Sequence, residues 1–331
     1  MNLIDKFLEK GILLSPEVKD KIKPEEVDDL MLKFDKRDVV LTNDFYSFTR
    51  GRGVKVISEY KKDSEIKRIT NFVDFYNNRF EFLRKILMEK LGQEKITSIN
   101  KLNTGNFTII GMVREKKKDG FSLEDSTGSL YCISGKDVLE DDVIAVKGRF
   151  DKKKFTEEKI FYPDIPLKNK VNRTREESRV LFIKNLKKDP GVHYVFTFEG
   201  DPGVLNKTKS WVVSTKDKIK KGPKKLGLNL PAIVDVEGIK IMIFGGKLDE
   251  IKKKTGEKDE RKLIVSLLQR RHFLPFVYME NDPYLIKEIP DIIFFPGAEP
   301  FFLNYKGVSA ISVTNNMGFL VNLKTRDYEE V

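Results

Sequence analysis

Two imidazoles, His193 and His272, and one thiol, Cys132, are the chain's entire supply of those groups. Hydrolytic metal centres and nucleophile–base pairs draw heavily on histidine. Two histidines exclude any centre built on three or more imidazoles. One cysteine excludes an internal disulfide framework and a cysteine-cluster zinc site, and Cys132 reads as a small residue in a strand. The stretch most like the rim of a site is "DIIFFPGAEPFFLNYKGVSAIS", residues 291–312. An apolar strand, Ile292 to Phe295, runs into Pro296-Gly297, a short loop and a second apolar strand. Loops at the ends of buried strands are where α/β proteins keep ligands and catalysts. Yet Ala298, Glu299 and Pro300 supply one carboxylate and nothing else.

The elements that must position such loops belong to a chain of 331 residues, 40% hydrophobic and 34% charged, a globular balance with room for two or three domains. No window reaches 18 consecutive apolar residues, so no membrane span is expected, and Met1 to Lys6 lacks the pattern of a signal peptide. A cytoplasmic protein is the simplest expectation. The net charge of +11 favours a polyanionic partner, nucleic acid first, although a Lys- and Glu-rich composition also suits a hot habitat.

Residues 1–45 read as a small helical docking module. Leu3, Ile4, Phe7 and Leu8 share a helical face that Gly11 ends, Ser15-Pro16 caps a second helix, and Pro24-Glu25-Glu26 opens a third. Residues 46–92 are a polar linker and a long amphipathic helix, with Phe72, Tyr76, Phe80, Leu83, Leu87 and Leu91 at spacings of three and four and Val73 beside them. Phe75, Phe82 and Ile86 lie off that stripe, which leaves open a partner-binding face beside the core-facing one.

Across 93–165 the period changes to two. "NFTIIGMVRE", "GFSLEDSTGSLYCISG" and "DDVIAVKGRFDKKKFTEEKIFYPD" give about five short strands, with a tight Asp125-Ser126-Thr127-Gly128 turn and a bend at Gly148. The pattern resembles an OB-fold. Lys116, Lys117, Lys118, Lys152, Lys153 and Lys154 stand in turns where they reach phosphates, and Phe107, Phe121 and Tyr131 are candidate stacking platforms or core residues. Both a protein-contact barrel and a nucleic-acid barrel fit.

After a polar boundary at 166–178, residues 175–331 carry an α/β pattern. "RVLFIKN" and "VHYVFTFEGD" are strands, "PAIVDVEGIKIMIFGG" is a hairpin turning at Glu237-Gly238, and a helix over "DERKLIVSLLQRRHF" turns Leu263, Ile264, Leu267 and Leu268 inward. "DIIFFPG" and "VSAISVTNNMGFLVNLKT" complete a sheet. The stretch 215–227, with Lys220, Lys221, Lys224 and Lys225, is a solvated loop or a phosphate contact.

This order of parts, with the strings "LIDKFLEKGILLSPE", "DFYNNRFEFLRKIL", "FSLEDSTG", "DDVIAVKG", "VDVEGIKIMIFGG", "LLQRRHFLPFVY" and "IPDIIFFPGAEPFFLNYKGVSAISVTNN", resembles the small subunits of archaeal family-D DNA polymerases, relatives of the B-subunits of eukaryotic replicative polymerases. The resemblance implies an α+β multidomain chain: a helical N-terminal module, an OB-fold barrel and a truncated metallophosphoesterase-like α/β sandwich. In that family the sandwich resembles a calcineurin-like phosphoesterase. It has Asp-x-His, Gly-Asp-x-x-Asp, Gly-Asn-His-Asp, a lone His and Gly-His-x-His at its strand ends. Two divalent ions about 4 Å apart clamp a phosphodiester and activate water there, which requires carboxylate and imidazole ligands.

Here the matching positions hold Asn185 and Lys187, then Asp201, Pro202 and Gly203, then Gly245, and last Ala298 and Pro300 after a retained Gly297. The Gly-Asp-x-x-Asp segment has no counterpart, since residues 185–191 are too few for a helical crossover and a loop. His272, in "RRH", and His193, at the start of a strand, take structural roles. The expectation is a chain with no catalytic residues, metal or cofactor of its own, acting as the architectural small subunit of a DNA polymerase, or a paralogue of it, bound to the large catalytic subunit and touching DNA through its basic loops. The alternatives are a stand-alone single-stranded DNA-binding protein and a 3′–5′ exonuclease using Asp201.

Overall fold

The computed structural model describes residues 3–23, 27, 30–31, 40–41, 53–60, 69–208, 210–215, 224–245, 248–274 and 282–331. The third N-terminal helix at Pro24, most of the 46–68 linker, residues 275–281, and Lys220 and Lys221 lie outside the described residues. The chain divides into two compact units. One holds Met1–Ser58, Asn172–Ile243 and Val313–Val331, and the other Glu59–Val171 and Phe244–Ser312.

In chain order the elements are α1 (Leu3–Glu9), β1 (Leu13–Leu14), α2 (Pro16–Lys19), β2 (Val40–Leu41), β3 (Val54–Glu59), α3 (Ile69–Leu91), β4 (Gly105–Lys117), β5 (Gly120–Asp125), β6 (Gly128–Ile133), β7 (Val143–Asp151) and β8 (Lys154–Phe161). There follow β9 (Arg179–Leu186), β10 (Tyr194–Gly200), α4 (Pro202–Lys207), β11 (Trp211–Thr215), β12 (Lys225–Leu228), β13 (Ala232–Val236), β14 (Ile239–Ile243), α5 (Leu248–Thr255) and α6 (Glu260–Arg270). The last are β15 (Ile292–Pro296), β16 (Phe301–Tyr305), β17 (Val308–Val313), β18 (Phe319–Asn322) and β19 (Tyr328–Glu330). The result is a mixed α/β, multidomain architecture.

In the first unit, α1 ends as expected, with Gly11 at φ 74° and its N–H bonded to the Leu8 carbonyl. The helical face divides differently from the sequence reading: Phe7 is buried with Ile12, Val18 and Ile22, whereas Leu8 is 51% exposed. The larger sheet of this unit runs β12-β11-β10-β9-β18-β19. Strands β9 to β12 are mutually parallel, and β18 joins β9 antiparallel. Buried on both faces, β10 reads as the continuous apolar run expected of a parallel strand. The β13–β14 hairpin turns on Glu237 and Gly238, both at positive φ (52° and 86°), the two-residue turn whose twist suits paired strands. Glu237 then ties this turn to the large sheet, its carboxylate accepting from Tyr194 Oη at 2.6 Å and Ser178 Oγ at 2.7 Å.

In the second unit, β4-β5-β6-β8-β7 form a closed barrel in which β6 and β8 run parallel. Inward residues Ile109, Phe121, Leu123, Cys132, Val146 and Phe155 fill it. At Gly148 the β7–β8 register shifts, and an added Cβ would run into the Thr156 carbonyl oxygen. Helix α3 lays Leu83 and Leu87 on Ile110, Met112, Val143 and Ala145 of the barrel. Phe75 is buried, Phe82 and Ile86 are partly buried against that cluster, and Val73 is 51% exposed. Helix α6 buries Leu263, Ile264, Leu267 and Leu268 completely. Strands β16, β17 and β15 are neighbours in that order.

One sequence expectation is corrected. "DIIFFPG" and the end of "VSAISVTNNMGFLVNLKT" do not complete one sheet, because the chain turns at Thr314–Met317 and delivers β18 to β9 instead.

Candidate functional site

The parallel pair β9–β10 decides what its strand ends can carry. The register sets Val180 beside Tyr194 and Leu186 beside Gly200. The link 187–193 therefore returns along six residues of strand, about 20 Å at 3.3 Å per residue. Seven linking residues must run nearly extended to do so, where such crossovers ordinarily take a dozen or more. Asn185 belongs to β9 rather than to the link, and no helix or extra loop fits between these strands.

The ends of β9 and β10 line an open cleft of about 470 Å³, bordered by Asn185, Leu186, Lys187, Glu199, Gly200 and Asp201. Asp201 is the N-cap of α4, its Oδ1 accepting from Gly203 N at 2.6 Å and Val204 N at 3.2 Å, with Pro202 at the first helical position. Asp201 and Gly203 are thus joined in a helix start, and the Lys187 side chain is exposed beside them.

The remaining site positions lie in the second unit. Gly245 is exposed after Phe244, a buried ring stacked 5.0 Å from Phe273 and edge-on to Tyr284 at 5.7 Å. In the "PGAEP" loop the Ala298 N–H donates to both Glu260 carboxylate oxygens, at 3.1 and 3.2 Å. Glu260, the first residue of α6, is 6% exposed and also accepts from Lys252 Nζ of α5 at 2.6 Å. Gly297 packs so tightly over this pair that an added Cβ would lie 2.5 Å from Glu260 Oε2 and collide with Ser312 Oγ. Ser312 Oγ donates to the Glu299 carbonyl at 2.6 Å, while the Glu299 side chain turns outward, 3.9 Å from Arg261. Phe301 is buried beneath Arg261, whose guanidinium is 4.8 Å from its ring centre. The Ala298 N–H, the Ser312 hydroxyl and a part-buried Lys252–Glu260 ion pair hold the loop from within.

Among the described residues, no group of three or more His, Cys, Asp or Glu is arranged to hold a metal ion. Both histidines make hydrogen bonds within the fold. His193 Nδ1 accepts from Arg179 N at 3.0 Å. His272 is 1% exposed. Its Nδ1 accepts from Leu274 N at 3.0 Å, which leaves Nε2–H to donate to Asp282 Oδ1 at 2.8 Å. Burial and the Arg79 charge push its pKa down to about 4. Cys132 is fully buried in β6, and burial raises its thiol to about 12.

The lysines divide. Lys116 pairs with Asp137, and Lys117 with Glu115 at 3.2 Å. Lys118, Lys152 and Lys153 are exposed in turns, and Lys154 is exposed at the start of β8. Lys224 is exposed, and Lys225 donates to the Thr208 and Ser210 carbonyls at 2.7 and 3.1 Å. Phe121 is 1% exposed and belongs to the core, Phe107 packs at the core's edge, and Tyr131 stands half-exposed on the outer face.

Sequence reasoning missed Glu260 and two buried arginine pairs, Arg79–Asp282 and Arg270–Asp142. The "RRH" string was the one available signal: its Arg270 and His272 each meet a buried carboxylate.

These features define a class, a multidomain α+β chain whose strand-end loops are braced internally. No family model matches the sequence. The chain is 23% identical over 338 aligned residues to the DNA polymerase II small subunit of Archaeoglobus fulgidus, spanning 72% of this chain and 69% of that protein. It is thus similar, at a distance, to an archaeal polymerase small subunit. Among solved structures, a chain of the S. pombe Stn1–Ten1 complex aligns with 21% of this chain and 78% of its own at 18% identity and a TM-score of 0.18. Among the described residues no helix is long and apolar enough to cross a membrane.

Proposed function

We propose that this chain is a non-catalytic, architectural small subunit of a family-D-type DNA polymerase, or a paralogue of one, working in a cytoplasmic replication complex. The observation that carries the reading is the similarity to a polymerase small subunit over 72% of the chain. The barrel order β4-β5-β6-β8-β7, with β6 and β8 parallel, supports an OB-fold. The strand-end loops support a phosphoesterase-like sandwich that has given up metal chemistry. Where that chemistry requires His and Asp, this chain has Asn185, Lys187, Gly245, Ala298 and Pro300, its Asp201 carboxylate is bound by two backbone N–H groups, and an ammonium beside the cleft at Lys187 repels cations.

The partner is the large catalytic subunit, and the exposed lysines of the barrel turns are the DNA contacts. Co-expression with a tagged family-D large subunit should give a complex that survives purification in moderate salt. Two chains that never associate would contradict the assignment. The barrel's exposed lysines favour a second reading, a stand-alone single-strand-binding protein. Tight binding of labelled oligonucleotides with a steep salt slope and no partner distinguishes it.

A further inference from the structure

The outer face of β6 carries a half-exposed aromatic ring, two nearby ammonium groups and the acid Asp119, while Lys117 is also paired with Glu115 at 3.2 Å. Cys132 is level with Phe155 on the parallel strand β8, and both point into the barrel core. Tyr131 and Lys154, each one residue earlier, therefore stand side by side on the outside. Lys117 Nζ lies 5.9 Å from the centre of the Tyr131 ring. Asp119, in the turn after β4, accepts from Tyr131 Oη at 2.5 Å. The Tyr131 hydrogen bond, with Lys154 and Lys117 nearby, holds the Asp119 carboxyl below its usual range, and the same bond raises the Tyr131 phenol to about 12.

We propose that Asp119 sets the affinity of this face for single-stranded nucleic acid, as a built-in counter-charge that engages Tyr131 and offsets Lys154 and, together with Glu115, Lys117. A half-exposed ring flanked by ammonium groups fits a base stacked on the ring with its phosphates on the lysines. A carboxylate at that spot repels the phosphates and weakens both interactions. This inference rests on the reading of the barrel as a nucleic-acid contact.

The test is fluorescence anisotropy of a labelled oligothymidylate with the full chain and its Asp119→Asn variant, at several salt concentrations. The expected result is binding about twofold to fivefold tighter in D119N at low salt, the scale of one exposed ion pair. The slope of log affinity against log salt should steepen by about 0.7 per phosphate gained. Adding Tyr131→Ala to D119N should abolish the gain. Unchanged affinity in D119N overturns the proposal. So does a gain that persists without Tyr131 or appears equally with an acidic peptide, since either marks a non-specific polyanion surface. Loss of folding does not imitate a gain in affinity. The co-purification assay contains no oligonucleotide, so failure of one experiment leaves the other readable.

Discussion

Arg79 of α3 and Asp282 form a two-pronged pair, Nε to Oδ2 at 2.7 Å and Nη2 to Oδ1 at 3.0 Å, with the Arg79 side chain fully buried. The guanidinium also lies 4.5 Å above the Phe75 ring. Removing one partner of a buried pair strands the other charge away from water. Arg79→Met is expected to cost about 3–5 kcal/mol in urea unfolding. Arg79→Lys should recover only part of this, because an ammonium cannot reproduce the planar fork. A loss under 1 kcal/mol would show that the pair is dispensable.

Burial and the Arg79 charge, opposed by the Asp282 carboxylate, make stability depend on pH through His272. Its pKa falls from an ordinary 6.5 to about 4 in the folded chain. The unfolded chain therefore takes up this proton first. The contribution is complete above pH 6.5 and declines as pH falls towards 4, by about 3 kcal/mol in all at 1.4 kcal/mol per unit. Burial raises the Asp282 carboxyl, but His272 and Arg79 outweigh burial and keep it below its usual range, so its contribution disappears at lower pH still. Urea unfolding at pH 7.5 and 4.5 should show a smaller difference in His272→Gln than in the parent chain. Equal pH dependence in both would refute the assignment.

Gly297 has no room for a side chain above Glu260 and Ser312. Gly297→Ala should cost about 1–3 kcal/mol as the loop is pushed off its carboxylate. Glu260→Ala, which leaves the Ala298 N–H and the Lys252 ammonium without their acceptor, should cost about as much. Adding manganese should not restore either variant, because the brace is an internal ion pair. Recovery of thermal stability with metal would show that a cation belongs in this loop.

Asp201 is expected to behave as a helix cap. Asp201→Ala should cost about 1 kcal/mol, and Asp201→Asn, whose amide oxygen still accepts from Gly203 and Val204, only a few tenths. Amide exchange in α4 is the direct readout. Equal protection in all three proteins would remove the cap from the explanation.

The sequence revealed what local patterns determine. The Glu237–Gly238 hairpin, the barrel strands and the buried face of α6 each follow from periodicity and turn chemistry within about 25 residues. Contacts between distant segments were not legible. Arg79 meets Asp282 from 203 positions away and Arg270 meets Asp142 from 128, and nothing local marks either acid as a partner. Sequence reasoning takes Asp201 for the remnant of a ligand and misses it as a cap, although the Asp-Pro-Gly order carries both meanings. The chain's return to β9 through β18 was hidden because Thr314–Met317 reads as an ordinary turn inside one long apolar pattern.

The status of the strand-end loops is tested most directly by a nuclease assay on the purified chain, with a 3′-labelled oligonucleotide and manganese. Nucleotide release should not exceed the buffer rate, and Asp201→Asn should match the parent chain. Manganese-dependent release that disappears in Asp201→Asn, a variant that keeps its helix cap, would contradict the reading of these loops as scaffold.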